Sequence, residues 1–224
     1  MARILCIETS TKVCSIGLSV DGEIVEIQED LSNKYSHAEN INVFIESVII
    51  KNGLEELDAV AVSEGPGSYT GLRIGVSTAK GFCFGKSLPL ISVNPLEAMA
   101  AQVIGRHDAL RIPMIDARRM EVFCAGFSSE NKEVFKTRAE VVNPSSFQDV
   151  SGFTHFLIFG DGADKCREIL NPERFQFIDI YTSAYGMAGL ADTKYRKKDF
   201  VDLAYFEPYY LKDFVAGKSK KGLR

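Results

Sequence analysis

The sequence predicts an α/β fold made of two similar halves. Two stretches indicate the duplication, since ILCIETSTKVCSIGL (4–18) and IPMIDARRMEVFCAGF (112–127) both read as strand, acidic residue, polar turn and strand. In each half, three strands are followed by helices alternating with further strands, an order typical of helices packed on a mixed sheet. We therefore expect two lobes, 1–105 and 106–211, with a boundary near Gly105–Arg106.

The first lobe begins with a meander of three strands. An apolar run, RILCIE (3–8), is followed by CSIGLSV (14–20) and EIVEIQE (23–29). The last two flank Asp21-Gly22, and an Asp-Gly pair between two such runs is a strong signal for a two-residue hairpin. The three segments are therefore predicted to pair in sequence order.

A helix with two apolar surfaces is predicted over 36–52. Ser36 and Glu39 have the spacing of a capping box at its start. Val43 and Ile50 lie on a different side from its main apolar face, so the helix has a second surface to bury. The main face is formed by Ile41, Phe44, Ile45, Val48 and Ile49.

The remaining elements alternate between strands and helices, so that each lobe is of the βββαβα type. In the first lobe they are a strand at 58–64, a helix opened by a glycine-rich stretch, a strand at 88–93 and a helix beginning at Pro95. In the second lobe a third strand at 133–142 is followed by a helix led by Pro144, a strand at 155–162, and helices at 163–170 and 182–198.

Composition and charge limit the classes of function. The chain of 224 residues carries a net charge of −4, which gives no global attraction to nucleic acid. No apolar segment reaches the roughly 18 residues of a membrane span, and five cysteines without a CxxC pair are typical of reduced core thiols. We therefore expect a cytoplasmic protein with no membrane partner, and a basic, flexible tail at 212–224.

The stretch SEGPGSYTGLRIGVSTAKGFCFGKSLPL (63–90) lacks the known phosphate-loop patterns. A P-loop has Lys and then Ser or Thr after its last glycine, whereas Leu72 and Arg73 follow Gly71 here, and the dinucleotide-binding spacing also fails. Two interpretations remain: a tight strand-to-helix turn, or a nucleotide-phosphate contact at the start of the helix. The residues available for such a contact are Gly65, Gly67, Ser68 and Thr70.

The helix that begins in this stretch carries a stripe of small residues. Gly71, Gly75 and Ala79 recur every four positions, which lets another backbone approach closely. The approaching backbone belongs either to the same domain or to another protein, and the two apolar surfaces of the 36–52 helix favour another protein. The predicted partner interface comprises Val43, Ile50, Gly71, Leu72, Gly75, Val76 and Ala79.

Candidate catalytic and metal-binding residues are few. Glu8 and Asp116 each follow the first strand of a lobe, where a carboxylate can position a metal–phosphate complex or act as a base. Glu8 also suits a self-capping turn, and Asp161 either contacts phosphate or caps the next helix. The three histidines are widely separated, and no Ser-His-Asp or Cys-His pattern is present. We therefore predict no catalytic residue, no metal site and no cofactor of the isolated chain.

Several segments resemble the TsaB (YeaZ) family, in the same order. They are ILCIETSTKVCSIGL, LDAVAVSEGPGSYTGLRIGVSTAKGFCFGKSLPLISVNPLEAMA, IDARRMEVFCAGF, GDGA and EPYYL, and the resemblance covers nearly the whole chain. It implies the duplicated ribonuclease-H-like fold of the ASKHA class, which includes actin, Hsp70 and the acetate and sugar kinases. It also implies a non-catalytic subunit of the bacterial machinery that makes N6-threonylcarbamoyladenosine (t6A) at position 37 of ANN-decoding tRNAs.

The resemblance further implies partners and the loss of a metal site. Family members pair with the catalytic paralogue TsaD and the small ATPase TsaE, form homodimers when alone, and act on tRNA through the complex. TsaD holds its metal with two histidines four apart after the strand equivalent to LISV, and Pro95 and Met99 stand at those positions here. Proline has no ligand atom, and a thioether suits divalent ions poorly. Glu8 also departs from the Asp that is usual in the family.

An alternative from another functional class stays open. An ATP-dependent kinase or hydrolase would use the cleft between the lobes, with Glu8, 65–70 and Asp116 organising nucleotide and metal. An intermediate case is ATP or ADP held only at a composite interface with the partner.

Overall fold

Within the described residues, two five-stranded mixed sheets form the framework of the protein. The computed structural model describes residues 1–32, 36–50, 57–103 and 109–212. The strands are β1 (Arg3–Glu8), β2 (Cys14–Val20), β3 (Glu23–Asp30), β4 (Ala59–Ser63), β5 (Leu90–Val93), β6 (Ala109–Asp116), β7 (Glu121–Phe127), β8 (Glu133–Val141), β9 (His155–Phe159) and β10 (Phe175–Phe177). The helices are α1 (His37–Ile50), α2 (Tyr69–Lys86), α3 (Pro95–Ala101) and α4 (Ala184–Lys197).

The two sheets have the same connectivity. The first has the order β3-β2-β1-β4-β5, and the second has the order β8-β7-β6-β9-β10. In each, three antiparallel strands form a meander, a fourth strand pairs in parallel with the first, and a fifth pairs in parallel with the fourth. This repeated order confirms the predicted duplication of a ribonuclease-H-like lobe. The predicted boundary at Gly105–Arg106 and the tail beyond residue 212 lie outside the described residues, and the division into 1–105 and 106–211 stays a prediction.

The predicted hairpin between β2 and β3 is present. Asp21 and Gly22 have φ angles of 50° and 86°, the left-handed conformation that a tight two-residue turn requires. The Asp21 carboxylate also accepts a hydrogen bond of 3.0 Å from the backbone N–H of Ala2. The turn thus also fixes the start of β1.

Helices α1 and α2 cover one face of the first sheet. Ile41, Ile45 and Val48 of α1 are buried in the same core cluster as Val76 and Cys83 of α2, which confirms the predicted main face of α1. The start of α1 differs from the predicted capping pair of Ser36 with Glu39. The Ser36 hydroxyl instead donates to the Asp30 carboxylate at 2.5 Å.

Two helices predicted in the second lobe are absent from the described structure. The segment after Pro144 forms turns, because Phe147 is buried in the core with a left-handed φ of 65° that interrupts a helix. The 163–170 segment forms only a short 3-10 turn at Asp164–Cys166. The sequence analysis also missed β10, which is three residues long.

Helices α3 and α4 each cover the sheet of the opposite half of the chain. Ala184, Met187 and Ala191 of α4 share a cluster with β1, β4 and β5 of the first sheet, whereas Leu96 and Met99 of α3 share one with β6, β7 and β9 of the second. This exchange ties the two lobes together. None of the helices in the described ranges has both the length and the apolar character needed to cross a bilayer.

A buried arginine fastens α3 to the second sheet. Arg111 of β6 has a relative exposure of 2% and donates to the carbonyl oxygens of Ala100 and Val103, each at 2.6 Å, at the end of α3. It also donates from Nε to the Ser128 carbonyl at 3.1 Å and from a terminal nitrogen to Asn131 Oδ1 at 3.1 Å. The guanidinium thus serves as a multiple donor to backbone carbonyls, and burial lowers its pKa.

Candidate functional sites: an inter-lobe cleft and an exposed helical face

A cleft of about 640 Å³ lies between the two lobes. One wall is formed by the β1–β2 turn (10–12) and the start of α2 (67–71), and the opposite wall by the β6–β7 turn (116–118). Segment 209–212 closes one side. The volume is within the roughly 300–1,000 Å³ that small-molecule sites occupy.

The turn into α2 is shaped by the backbone of the chain itself. Gly65 has a φ of 107°, and a Cβ at this position would lie 2.6 Å from the carbonyl oxygen of Tyr209. A Cβ on Gly67 would come closer than 3.0 Å to Ser10. Gly65 and Gly67 are therefore required by local packing, whatever the cleft binds.

The helix start itself faces the cleft. Ser68 caps α2, its hydroxyl accepting from the N–H of Gly71 at 3.3 Å, and its own N–H donates to the Ser10 carbonyl at 2.6 Å. Of the predicted phosphate-contact residues, Gly67, Ser68 and Thr70 line the cleft, and Gly65 does not. The structure is compatible with both interpretations of this stretch, a tight strand-to-helix turn and a phosphate contact. The tight turn also leaves the positive end of the α2 dipole at the cleft wall.

Glu8 is buried beneath the cleft and is not poised as an ionised carboxylate. One of its oxygens accepts from the N–H of Ser10 at 2.6 Å, and the other has no hydrogen-bond partner among the described residues. Burial raises the Glu8 pKa to about 7, an effect that the hydrogen bond from Ser10 opposes. Burial likewise raises the Asp161 pKa to about 6, and Asp161 accepts from the N–H of Asp116 at 3.0 Å.

The contribution of Glu8 to the stability of the protein is expected to fall as the pH rises from about 4.5 to 7, because folded Glu8 keeps a proton that the unfolded chain loses. Glu8→Gln removes this ionisation, so its free energy of unfolding relative to wild type should rise by about 2 kcal/mol between pH 5 and pH 8. Urea unfolding at both pH values measures the difference. Glu46→Gln, at an exposed position on α1, is the control, and an equal pH response of the two variants would contradict the account.

The histidines and cysteines form no metal site within the described ranges. No group of three or more His, Cys, Asp or Glu side chains there could hold an ion. His37 lies at the cleft and bonds the Thr11 carbonyl through Nε2 at 2.7 Å, whereas His155 begins β9 and His107 is outside the described residues. All five cysteines are buried and free, as predicted for core thiols.

The small-residue stripe of α2 faces the interior, which corrects its interpretation as a docking surface. A Cβ on Gly71 or on Gly75 would come closer than 3.0 Å to Thr9, whose hydroxyl donates to the Gly71 carbonyl at 2.9 Å. The close approach is therefore made by the loop after β1. Five members of the predicted interface lie in the core of the chain: Gly71, Leu72, Gly75, Val76 and Ala79.

The remaining two predicted residues belong to an exposed helical face. Val43 and Ile50 of α1 have relative exposures of 59% and 74%. On the outward side of α2, Ser77 and Gly81 are exposed, a Cβ on Gly81 would meet nothing within 4 Å, and Phe84 is 83% exposed. We define the helical face by Val43, Ile50, Ser77, Gly81 and Phe84.

Comparison with known proteins identifies the family. The family model described as "TsaD: tRNA N6-adenosine threonylcarbamoyltransferase" matches residues 29–216. The chain is 30% identical over 233 residues to the tRNA threonylcarbamoyladenosine biosynthesis protein TsaB of Escherichia coli, covering 98% of this chain and 99% of that protein. The chain belongs to the TsaB (YeaZ) family. The resemblance found in the sequence is thereby confirmed.

Solved structures support the fold of this TsaB family member. YeaZ from Pseudomonas aeruginosa superimposes with a TM-score of 0.80 at 22% identity, covering 94% of this chain and all of that one. The activator of the 2-hydroxyisocaproyl-CoA dehydratase from Clostridium difficile, solved with ADPNP, gives a TM-score of 0.51 at 11% identity over 88% of this chain and 96% of that one. These likenesses confirm the predicted ribonuclease-H-like, ASKHA-type fold.

The positions compared with the TsaD histidines are structural in this TsaB family member. Pro95 is the first residue of α3, where Asn94 caps the helix by accepting from the N–H of Leu96 at 2.9 Å. Met99 is fully buried in the cluster between α3 and the second sheet. Both side chains thus serve packing in the layer that joins the lobes.

Proposed function

We propose that the chain is a non-catalytic scaffold and activator subunit of the bacterial t6A machinery in the cytoplasm. It docks onto a TsaD-like protein and recruits a TsaE-like ATPase for threonylcarbamoyl transfer to A37 of ANN-decoding tRNAs, which it reaches indirectly. The observation that carries the proposal is the exposed helical face on α1 and α2. Membership of the TsaB family supports the pathway, and Pro95 and Met99 support the lack of a TsaD-type metal site.

The helical face has the properties of a helix-docking surface. Val43, Ile50 and Phe84 place large apolar side chains in solvent, on two helices that share one core cluster and therefore one side of the first sheet. On α2, Ser77 and Gly81 are also exposed, and nothing lies within 4 Å of a Cβ at Gly81, which leaves room for a second helix to approach. An exposed glycine inside a helix lowers the stability of that helix by about 1 kcal/mol relative to alanine. Close contact with a second helix would account for the glycine at this position. In the absence of TsaD, the same face would pair two copies of the chain.

Gly81→Leu is expected to weaken binding to the TsaD-like partner about 30-fold or more, because the side chain fills the space that the partner helix needs. Gly189→Leu is the matched control, since Gly189 of α4 is also exposed with nothing within 4 Å of a Cβ. Both variants should fold normally, and affinity is measured by titration with the purified partner. Equal affinities of Gly81→Leu and wild type would exclude docking through this face.

A second candidate function is nucleotide binding in the cleft, as in an ATP-dependent kinase or hydrolase. It is favoured by the start of α2 at the cleft wall, where the N–H groups of a helix N-terminus can hold a phosphate. The raised pKa of Glu8 opposes it, because a protonated carboxyl is a poor ligand for a metal–phosphate complex. Equilibrium binding of ATP–Mg to the isolated chain separates the candidates, since micromolar affinity with turnover would favour the enzyme.

A further inference from the structure

The chain after α4 continues along the first lobe and then crosses to the second. Val201 pairs with Leu90 of β5, and Val201, Leu203 and Phe206 pack on the core of the first lobe. The Lys80 ammonium of α2 donates to the Ala204 carbonyl at 3.2 Å. We call segment 201–212 the strap.

The strap is held firmly where it passes the start of α2. The N–H of Tyr209 donates to the Glu64 carbonyl at 2.7 Å, and its carbonyl oxygen lies against Gly65, where no side chain could be accommodated. The ring of Tyr210 lies 4.9 Å from that of Tyr69, and its hydroxyl accepts from Arg73 Nε at 3.1 Å. Backbone pairing, ring contact and a charged donor therefore fix this end.

The last two described residues of the strap contact the second lobe. Leu211 packs against the cluster formed by α3 and the second sheet, and Lys212 forms an ion pair with Glu121 of β7. The Lys212 and Glu121 side chains are 49% and 20% exposed. An ion pair with such exposure is weak and sensitive to salt. The second-lobe end is therefore the end that can be released.

We propose that the strap sets the opening of the inter-lobe cleft, with Lys212–Glu121 as its releasable latch. Residues 209–212 line the cleft while bonded to the first lobe at one end and to the second at the other. A change in the separation of the two walls must therefore stretch or release the strap. Because Tyr69, Arg73 and Lys80 all lie on α2, the strap also links the cleft to the helix that carries Ser77, Gly81 and Phe84.

Two measurements on the isolated chain test this proposal. Because no partner protein is present, a negative result is distinct from a failure of docking. Lys212→Glu places two carboxylates together, and amide exchange in 209–212 should become about two- to fivefold faster. Val25 of β3 and Val134 of β8 are exposed, and cysteines introduced there can carry spin labels. The distance between the two labels should become longer and its distribution broader. Lys132→Glu is the control, because Lys132 pairs with Glu130 on the surface of the second lobe alone.

The proposal requires both effects in Lys212→Glu and neither in Lys132→Glu. Faster exchange without a change in label separation would mean that the strap rests on the surface without setting the cleft, and would overturn the proposal. Unchanged exchange, or the same change in both variants, would overturn it as well. Gly65→Ala displaces the strap from its other end and should also lengthen the label separation.

Discussion

Arg111→Met is expected to lower the free energy of unfolding by about 3 to 5 kcal/mol. Methionine fills a similar volume but donates no hydrogen bonds, so the Val103 carbonyl loses its donor, and the carbonyls of Ala100 and Ser128 keep only backbone N–H donors. Ala100 lies in the last turn of α3, Val103 follows the helix, and Arg111 lies in the second sheet, so the contact between α3 and that sheet weakens.

Urea unfolding followed by circular dichroism measures this loss. Arg118→Met is the control, since Arg118 is exposed in the β6–β7 turn and its replacement should change stability by less than about 0.5 kcal/mol. A loss below about 1 kcal/mol for Arg111→Met would mean that water or a rearranged backbone satisfies those carbonyls.

Gly75→Leu is expected to destabilise the isolated chain by about 3 kcal/mol, because the added side chain must displace Thr9 from the first lobe. Its effect on docking would follow from this loss of stability. Gly81→Leu, six positions further along α2 and facing solvent, should leave the stability of the isolated chain unchanged or slightly higher.

Thermal unfolding of the two variants separates the inward stripe from the outward face. If Gly75 faces the interior and Gly81 faces solvent, Gly75→Leu should lose much of the stability of the isolated chain and Gly81→Leu should lose none. Equal stabilities would show that Thr9 moves aside at little cost and that the stripe is not fixed by the interior.

The strand framework could be predicted from the sequence because its signals are local. Asp21-Gly22 required a tight hairpin, and the apolar runs on either side could pair only in sequence order. The recurrence of the same pattern around Asp116 then predicted the second sheet. Each of these signals depends on neighbouring residues alone.

Other features depended on contacts between distant segments, which the sequence pattern does not contain. The four-residue spacing of Gly71 and Gly75 occurs again at Gly81 and Gly85, and only the position of Thr9 decides which pair faces inward. The helix predicted after Pro144 fails because Phe147 adopts a left-handed backbone to reach the core. The exchange of α3 and α4 between the sheets has no local signal either.

The most direct test of the proposed function is the mass of a mixture of the chain with the TsaD-like protein of the same organism. Light scattering after size-exclusion chromatography should give a complex with the mass of the partner plus the 24.8 kDa of this chain, or a multiple of that sum. Gly81→Leu should prevent the complex and Gly189→Leu should not. Separate elution of the two wild-type proteins at micromolar concentrations would contradict the account.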